Sequence, residues 1–332
     1  MGGDHAPGVV VEGTLRALRG AAGRFHVVLV GPEKQIATEL GICVRNGLTP
    51  PGGSLSIVDA PEVITMADAP TAALRAKKDS SIARGLTLHK EGKVQGFVSA
   101  GNTGAVMSAS TLILGRVTGV SRPTIGALIP TTTGDPALLL DAGANVDCKP
   151  RHLYEFGVMG SIYVSAMRGV ARPRVGLLNV GEEESKGNEA ALQAFALLKA
   201  GSCNFIGNVE GRDVLKGTAD VIVCDGFTGN ILLKFGESVP SFLKAKFLAF
   251  ATKRLRNKIV ALVARGGLRS VLKELDYQEH GGVPLLGVNG VSIIGHGGST
   301  AKAIMNMIFR AEEMILHDVN GSIRKELERS HE

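Results

Sequence analysis

Tryptophan is absent from the 332-residue sequence, and aromatics amount to only 4%. So thin an aromatic complement argues against a stacking platform for single-stranded nucleic acid, and no nucleic-acid partner is expected. No stretch approaches the roughly 18 consecutive apolar residues of a membrane-spanning helix. The amino terminus has no basic region followed by an apolar run, so no signal peptide is expected. The four cysteines, Cys43, Cys148, Cys203 and Cys224, form no C-x-x-C pair and lie near no histidine at zinc-ligand spacing. Reduced thiols in a reducing cytosol are the simple reading, with no metal expected. The P-loop pattern G-x-x-x-x-G-K-[ST] is missing, no G-x-G-x-x-G follows an early strand, and no G-x-S-x-G elbow occurs. Those absences set aside P-loop nucleotide chemistry, the dinucleotide fingerprint and the α/β-hydrolase arrangement.

What is present is 44% hydrophobic residues and 44 glycines, with a formal charge of +6. The apolar share builds a real core and excludes global disorder. The glycines are not periodic but cluster where strands are predicted to end. Short runs rich in Val, Ile and Leu, at 26–30, 55–59, 94–99, 124–130, 137–141, 174–180, 204–209, 219–224 and 291–295, read as strands buried on both faces. Helical patterns lie between them, among them 70–91, 103–114, 150–168 and 187–200. The expected fold is a doubly wound α/β unit with a mainly parallel sheet, one catalytic unit in two lobes. The stretch 238–275 shows helical periodicity only and reads as a hairpin insertion, with Gly266-Gly267 placed to turn the chain. Arg254, Arg256, Lys258 and Arg265 crowd around an apolar face that includes Leu262. Such a face packs on the core with its charges solvated, or meets a second subunit, a membrane surface or an acidic carrier.

Five loops carry candidate chemistry. Glycines at strand ends let the backbone approach an anion, and the helix that follows points unpaired N–H groups at it. The first loop, at 2–7, offers Asp4 and His5. The second follows a predicted strand and offers Gly101, Asn102, Thr103 and Gly104. The third, 179–189, contains Lys186 near a helix start, placed to reach an anion. The fourth offers Asp225, Thr228 and Asn230; Asn230 is a candidate to orient phosphate or stabilise a developing oxyanion. The fifth offers His296, Gly297, Gly298 and Ser299, with His296 a candidate proton shuttle and Ser299 a helix cap. Physical reading alone reaches an α/β enzyme with several anion-binding loops, and not its substrate.

These loops, in this order, resemble the PlsX family of phosphate acyltransferases of bacterial phospholipid synthesis. The likeness runs through G-G-D-H-A-P at 2–7, F-V-S-A-G-N-T-G-A at 97–105, L-L-L-D-A-G-A-N at 138–145 and N-V-G-E-E-E-S-K-G-N-E at 179–189. It continues in F-I-G-N-V-E-G-R-D at 205–213, V-C-D-G-F-T-G-N at 223–230, G-G-V-P-L-L-G-V-N-G at 281–290 and G-H-G-G-S at 295–299. The resemblance implies a fold similar to phosphotransacetylases and isocitrate-dehydrogenase-like enzymes, and a cytoplasmic homodimer that uses no cofactor. It implies transfer of a fatty acyl group from acyl-[acyl carrier protein] to inorganic phosphate, giving an acyl phosphate for a membrane glycerol-3-phosphate acyltransferase. It also implies a short strand ahead of the 2–7 string; Met1 stands inside that motif here, so one strand is expected to be lost. The rival readings are a phosphotransacylase using acyl-CoA, a metal- and NAD-dependent dehydrogenase of related fold, and a non-enzymatic scaffold on the membrane. Phosphate held by the 101–105 and 296–299 loops, charge from Lys186 and oxyanion contacts from Asn230 are the expected division of labour.

Overall fold

The computed structural model describes residues 1–274 and 281–329. Its first third holds α1 (Gly8–Ala21), β1 (Val27–Gly31), α2 (Glu33–Arg45), β2 (Leu55–Asp59), α3 (Pro70–Ala76), α4 (Ser81–Lys90), β3 (Gly96–Ser99) and α5 (Thr103–Ala109). The middle holds β4 (Thr124–Ile129), β5 (Ala137–Leu140), α6 (Pro150–Arg168), β6 (Arg174–Leu178), α7 (Glu189–Ala200), β7 (Asn204–Val209) and β8 (Val221–Val223). Two long helices follow, α8 (Gly226–Thr252) and α9 (Leu255–Glu274). The last elements are β9 (Val283–Leu286), β10 (Val291–Ile294), α10 (Ala301–Leu316) and α11 (Val319–Arg329).

Local chemistry explains where these elements start and stop. Helix α6 begins on Pro150, whose missing N–H costs nothing in a first turn, and ends at Gly169 in the left-handed region, φ 68°. The helix expected over 70–91 is two helices. Ser80 breaks it by turning extended and accepting the Ala83 N–H at 3.3 Å, so that α4 starts anew. The chain does not turn at Gly266-Gly267, through which α9 runs unbroken. It turns at Lys253 and Arg254, where the Phe250 carbonyl accepts from the Asn257 side chain at 3.0 Å and closes the end of α8. Residue 275, where the hairpin was expected to end, lies outside the described residues. The short run Val283–Leu286, not expected as a strand, enters the sheet after two glycines with positive φ.

The main sheet has eight strands in the order β3-β10-β9-β4-β5-β8-β6-β7, and β1 and β2 form a separate parallel pair. Five of the eight strand pairings are parallel. The three antiparallel ones, β10-β9, β9-β4 and β4-β5, sit together at the centre. As a result, β3 and β10 run opposite to β5, β8, β6 and β7. The loops at the carboxyl ends of the two halves therefore leave the sheet in opposite directions. Leu138, Leu139, Leu140, Val221 and Val223 are fully buried in the centre, as strands covered on both faces require.

Candidate active site

The first cluster gathers at the carboxyl ends of β3 and β10. The Asp4 N–H donates to the Gly297 carbonyl at 2.9 Å, so the amino-terminal turn lies against the last loop. A side chain on Gly3 would run into the Ala100 and Gly297 carbonyls, which is why the backbones approach so closely. Asn102 is buried and fully used. Its Oδ1 accepts from Ala105 at 3.0 Å, and its Nδ2 donates to the Thr65 and Asp68 carbonyls at 3.1 Å each. It fixes the loop and the start of α5, and the N–H groups of Thr103 and Gly104, just after this cap, have no acceptor among the described residues. His296 is exposed, and its Nδ1 accepts from the Gly298 N–H at 3.1 Å, which puts a neutral ring's proton on Nε2. Ser299 is buried, and the cap of α10 is its neighbour Thr300, whose hydroxyl accepts from Ala303 at 3.4 Å. His5 and Asp4 are exposed beside this loop pair.

The second cluster lies at the carboxyl ends of β5, β6 and β8. Its anchor is Asp141, which the spacing of aspartates alone did not single out. Its carboxylate is fully buried and accepts from Thr124 Oγ1 at 3.0 Å, Ile125 N at 3.0 Å and Asn145 N at 2.6 Å, with further donors from Ala144 and Asn145 Nδ2. Burial pushes this carboxyl up while the donors pull it down, and burial is the larger effect. The signal in the sequence was the aspartate ending an all-apolar strand, a position where a charge must be lashed to its neighbours. Asp225 caps α8: it accepts from the N–H and the hydroxyl of Thr228, each at 2.8 Å. Asn230, one turn on, is exposed and faces Gly143, whose φ of 129° no side chain tolerates well.

Lys186 stands in the exposed loop ahead of α7, folded so that its carbonyl accepts from Asn179 Nδ2 at 2.9 Å. The cap of α7 is Asn188, which accepts from Ala191 at 2.9 Å. Between this loop and α8 opens a cavity of about 1110 Å³, lined by Val146, Leu178, Val180, Phe227, Ile231 and Phe235. Burial pushes the nearby Cys148 thiol up to about 12 and lifts the Cys224 thiol well above its ordinary range. Neither is a thiolate at neutral pH.

The expected site residues thus fall into two groups. Asp4, His5, Gly101, Asn102, Thr103, Gly104, His296, Gly297, Gly298 and Ser299 come together; Asp225, Thr228 and Asn230 stand elsewhere, at the start of α8, and the loop that carries Lys186 lies across a cavity from that helix. Arg254, Arg256, Lys258, Leu262 and Arg265 belong to neither and are exposed on α9 or just before it. Among the described residues no three His, Cys, Asp or Glu side chains gather as a metal site. No described helix is long and apolar enough to cross a membrane.

Residues 1–322 match the family model described as fatty acid synthesis protein. The chain is 48% identical over 327 residues to a phosphate acyltransferase of Pelotomaculum thermopropionicum, covering 97% of this chain and 93% of that one. It is 47% identical to a phosphate acyltransferase of Chlorobaculum tepidum, covering 98% and 100%. Among solved structures, the EutD phosphotransacetylase from Staphylococcus aureus superposes with a TM-score of 0.60 at 14% identity, covering 92% of each chain. A phosphotransacetylase from Streptococcus pyogenes gives the same TM-score at 16% identity, covering 92% of this chain and 91% of that one. At such identities the structural likeness concerns the fold.

Proposed function

The chain belongs to the fatty acid synthesis protein family that includes the phosphate acyltransferases, and from that premise we propose that it transfers a fatty acyl group from acyl-[acyl carrier protein] to inorganic phosphate. The observation that carries the phosphate half of this reading is the first cluster. Two glycine loops lie side by side there, each opening a helix, with first-turn N–H groups of Thr103 and Gly104 left for an anion.

Phosphate is a weak nucleophile toward a thioester, so holding it in line with the carbonyl supplies much of the rate. A phosphate oxygen bonds to the carbonyl carbon, the tetrahedral oxyanion collapses, and the C–S bond breaks. The products are acyl phosphate and the phosphopantetheine thiolate, whose thiol-like pKa of about 8.5 makes strong acid assistance unnecessary. His296 then orients phosphate instead of shuttling a proton. The raised thiols of Cys148 and Cys224 favour this direct attack over an acyl-enzyme.

Lys186 and Asn230 supply a cation and an oxyanion donor from the second cluster. Because the two clusters leave the sheet in opposite directions, they act together across two copies of the chain. A homodimer that sets one protomer's β3–β10 loops against its partner's β6–β8 loops makes each reaction centre from both. The exposed basic residues of α9 dock the acidic carrier protein or rest on anionic lipid, where the membrane acyltransferase consumes the product.

The deciding measurement is release of free carrier thiol from acyl-[acyl carrier protein] by purified protein. Release should require phosphate and yield acyl phosphate. Release without phosphate defeats the reading, and an equal rate with acyl-CoA reassigns the donor.

A further inference from the structure

The cavity between the Lys186 loop and α8 lies beyond the carboxyl ends of β6 and β8, where an α/β sheet opens a crevice for a ligand. The first turns of α6 and α7 line it too, the one through Leu153 and the other through Ala190 and Ala191. Phe227, Ile231 and Phe235 follow one another at four-residue spacing, so a single face of α8 forms one wall. The lining grades from hidden to open. Leu153, Leu177 and Cys224 are buried, whereas Val180, Phe227, Ile231 and Phe235 are each more than half exposed. The cavity thus has an apolar floor and an apolar mouth. Exposed apolar side chains gathered around a concave opening mark a binding groove.

The polar side chains along it are largely spent on the protein itself. Asn179 donates to the Lys186 carbonyl and to Asn208 Oδ1, and accepts from the Val180 N–H. The Thr228 hydroxyl donates to Asp225 at 2.8 Å. The Cys148 and Cys224 thiols donate to the Asn145 and Asp141 carbonyls, at 3.6 and 3.7 Å. Among the described residues no Lys, Arg or His side chain lines the cavity, and its only charged side chains are Asp147 and Asp225. An anion is repelled there, and a sugar or nucleotide finds few groups to pair with its own. A long apolar chain needs neither.

We propose that the fatty acyl chain of the thioester lies in this cavity, with its methyl end on Leu153 and Leu177 and its carbonyl at the mouth. The assignment rests on the acyl-transfer reading above. At the mouth, Lys186 and Asn230 each adjoin a lining residue, Gly187 and Ile231. In the proposed dimer this mouth faces the partner's β3–β10 loops, so the tail is held by one protomer and the phosphate by the other. Leu153 and Leu177 then limit the length of chain the enzyme accepts.

The test uses the full chain and alkyl-pantetheine thioethers, which mimic the carrier's arm and have no carbonyl to attack. A dodecyl thioether should bind more tightly than a butyl one, by roughly fourfold for each methylene buried until the floor is reached. A diazirine at the end of the dodecyl chain should label Cys148, Leu153 or Leu177 on irradiation. Ala191→Leu fills part of the cavity, and Ile231→Glu, at an exposed position, puts a charge on its wall. Each should lower the ratio of palmitoyl to octanoyl turnover, measured as kcat/KM with acyl-[acyl carrier protein], by about tenfold or more. The thioethers and the label need no variant, so the answer does not depend on either variant folding. Equal affinity for the butyl and dodecyl thioethers overturns the proposal. So does a label confined to other parts of the chain, or an unchanged ratio in both variants. A chain that binds and is labelled here, yet releases no carrier thiol with phosphate present, defeats the transfer reading and leaves the acyl site standing. Phosphate-dependent release without chain-length-dependent binding defeats the site alone.

Discussion

Single residues in this molecule are committed by burial before they are free for chemistry. Asn102 looked like a phosphate ligand in the sequence and is spent on Ala105, Thr65 and Asp68. Asp225 and Thr228 looked like a site pair and are spent on each other at the start of α8. The motif strings located these residues, but a string does not say which atoms a helix start consumes. His89 gives the residue-scale prediction. It lies under Gly290 with Nδ1 on the Val94 carbonyl at 3.0 Å and with Nε2 buried without a partner among the described residues. Burial holds its pKa below the ordinary 6.5, with the Val94 contact partly opposing. As pH falls through 6.5 the unfolded chain takes the proton first. The stability this residue permits is therefore full above 6.5 and lost as pH falls toward the folded value. The denaturant midpoint should drop between pH 7 and pH 5, and His89→Gln should remove part of that slope.

At the scale of elements, packing at a few glycines decides where helices sit. Gly229, in the first turn of α8, leaves room for the Asp141 carbonyl and Cys224. Gly229→Ala drives a methyl into that carbonyl, and should cost about 1–3 kcal/mol, read as a lowered Tm with Asp141's loop loosened. The α8–α9 pair was legible as helix because its periodicity is strong. Its turn was misplaced at Gly266-Gly267, because glycine in a helix costs only about 1 kcal/mol and the Asn257 contact to Phe250 is invisible in composition. The pair exposes apolar as well as basic side chains: Phe235 is 68% exposed and Val263 82%. Reversing Arg254 and Arg256 to glutamate should weaken carrier-protein binding several-fold at low salt, or else weaken binding to anionic liposomes; the affected ligand identifies the contact, and no effect on either leaves that face merely solvated.

For the whole molecule, the decisive feature is the reversal of strand direction across the sheet centre. The proposed shared centre predicts that mixing a Lys186→Ala chain with a His296→Ala chain, each inactive alone, restores activity after subunit exchange. Recovery should reach about a quarter of the wild-type rate, because half the dimers are mixed and half of their centres are intact. No recovery would confine each centre to one chain. By itself the sequence determined the α/β class, most strand and helix positions, and the loops that carry the family likeness. Those follow from local periodicity, capping and glycine placement, all written within short stretches of chain. Only the tertiary structure decided that the loops form two clusters, that Asp141 anchors one of them, and that β1 and β2 stand apart from the eight-stranded sheet. Strand order and direction depend on pairings between residues far apart in the chain, and a short apolar run reads the same whichever way it enters the sheet.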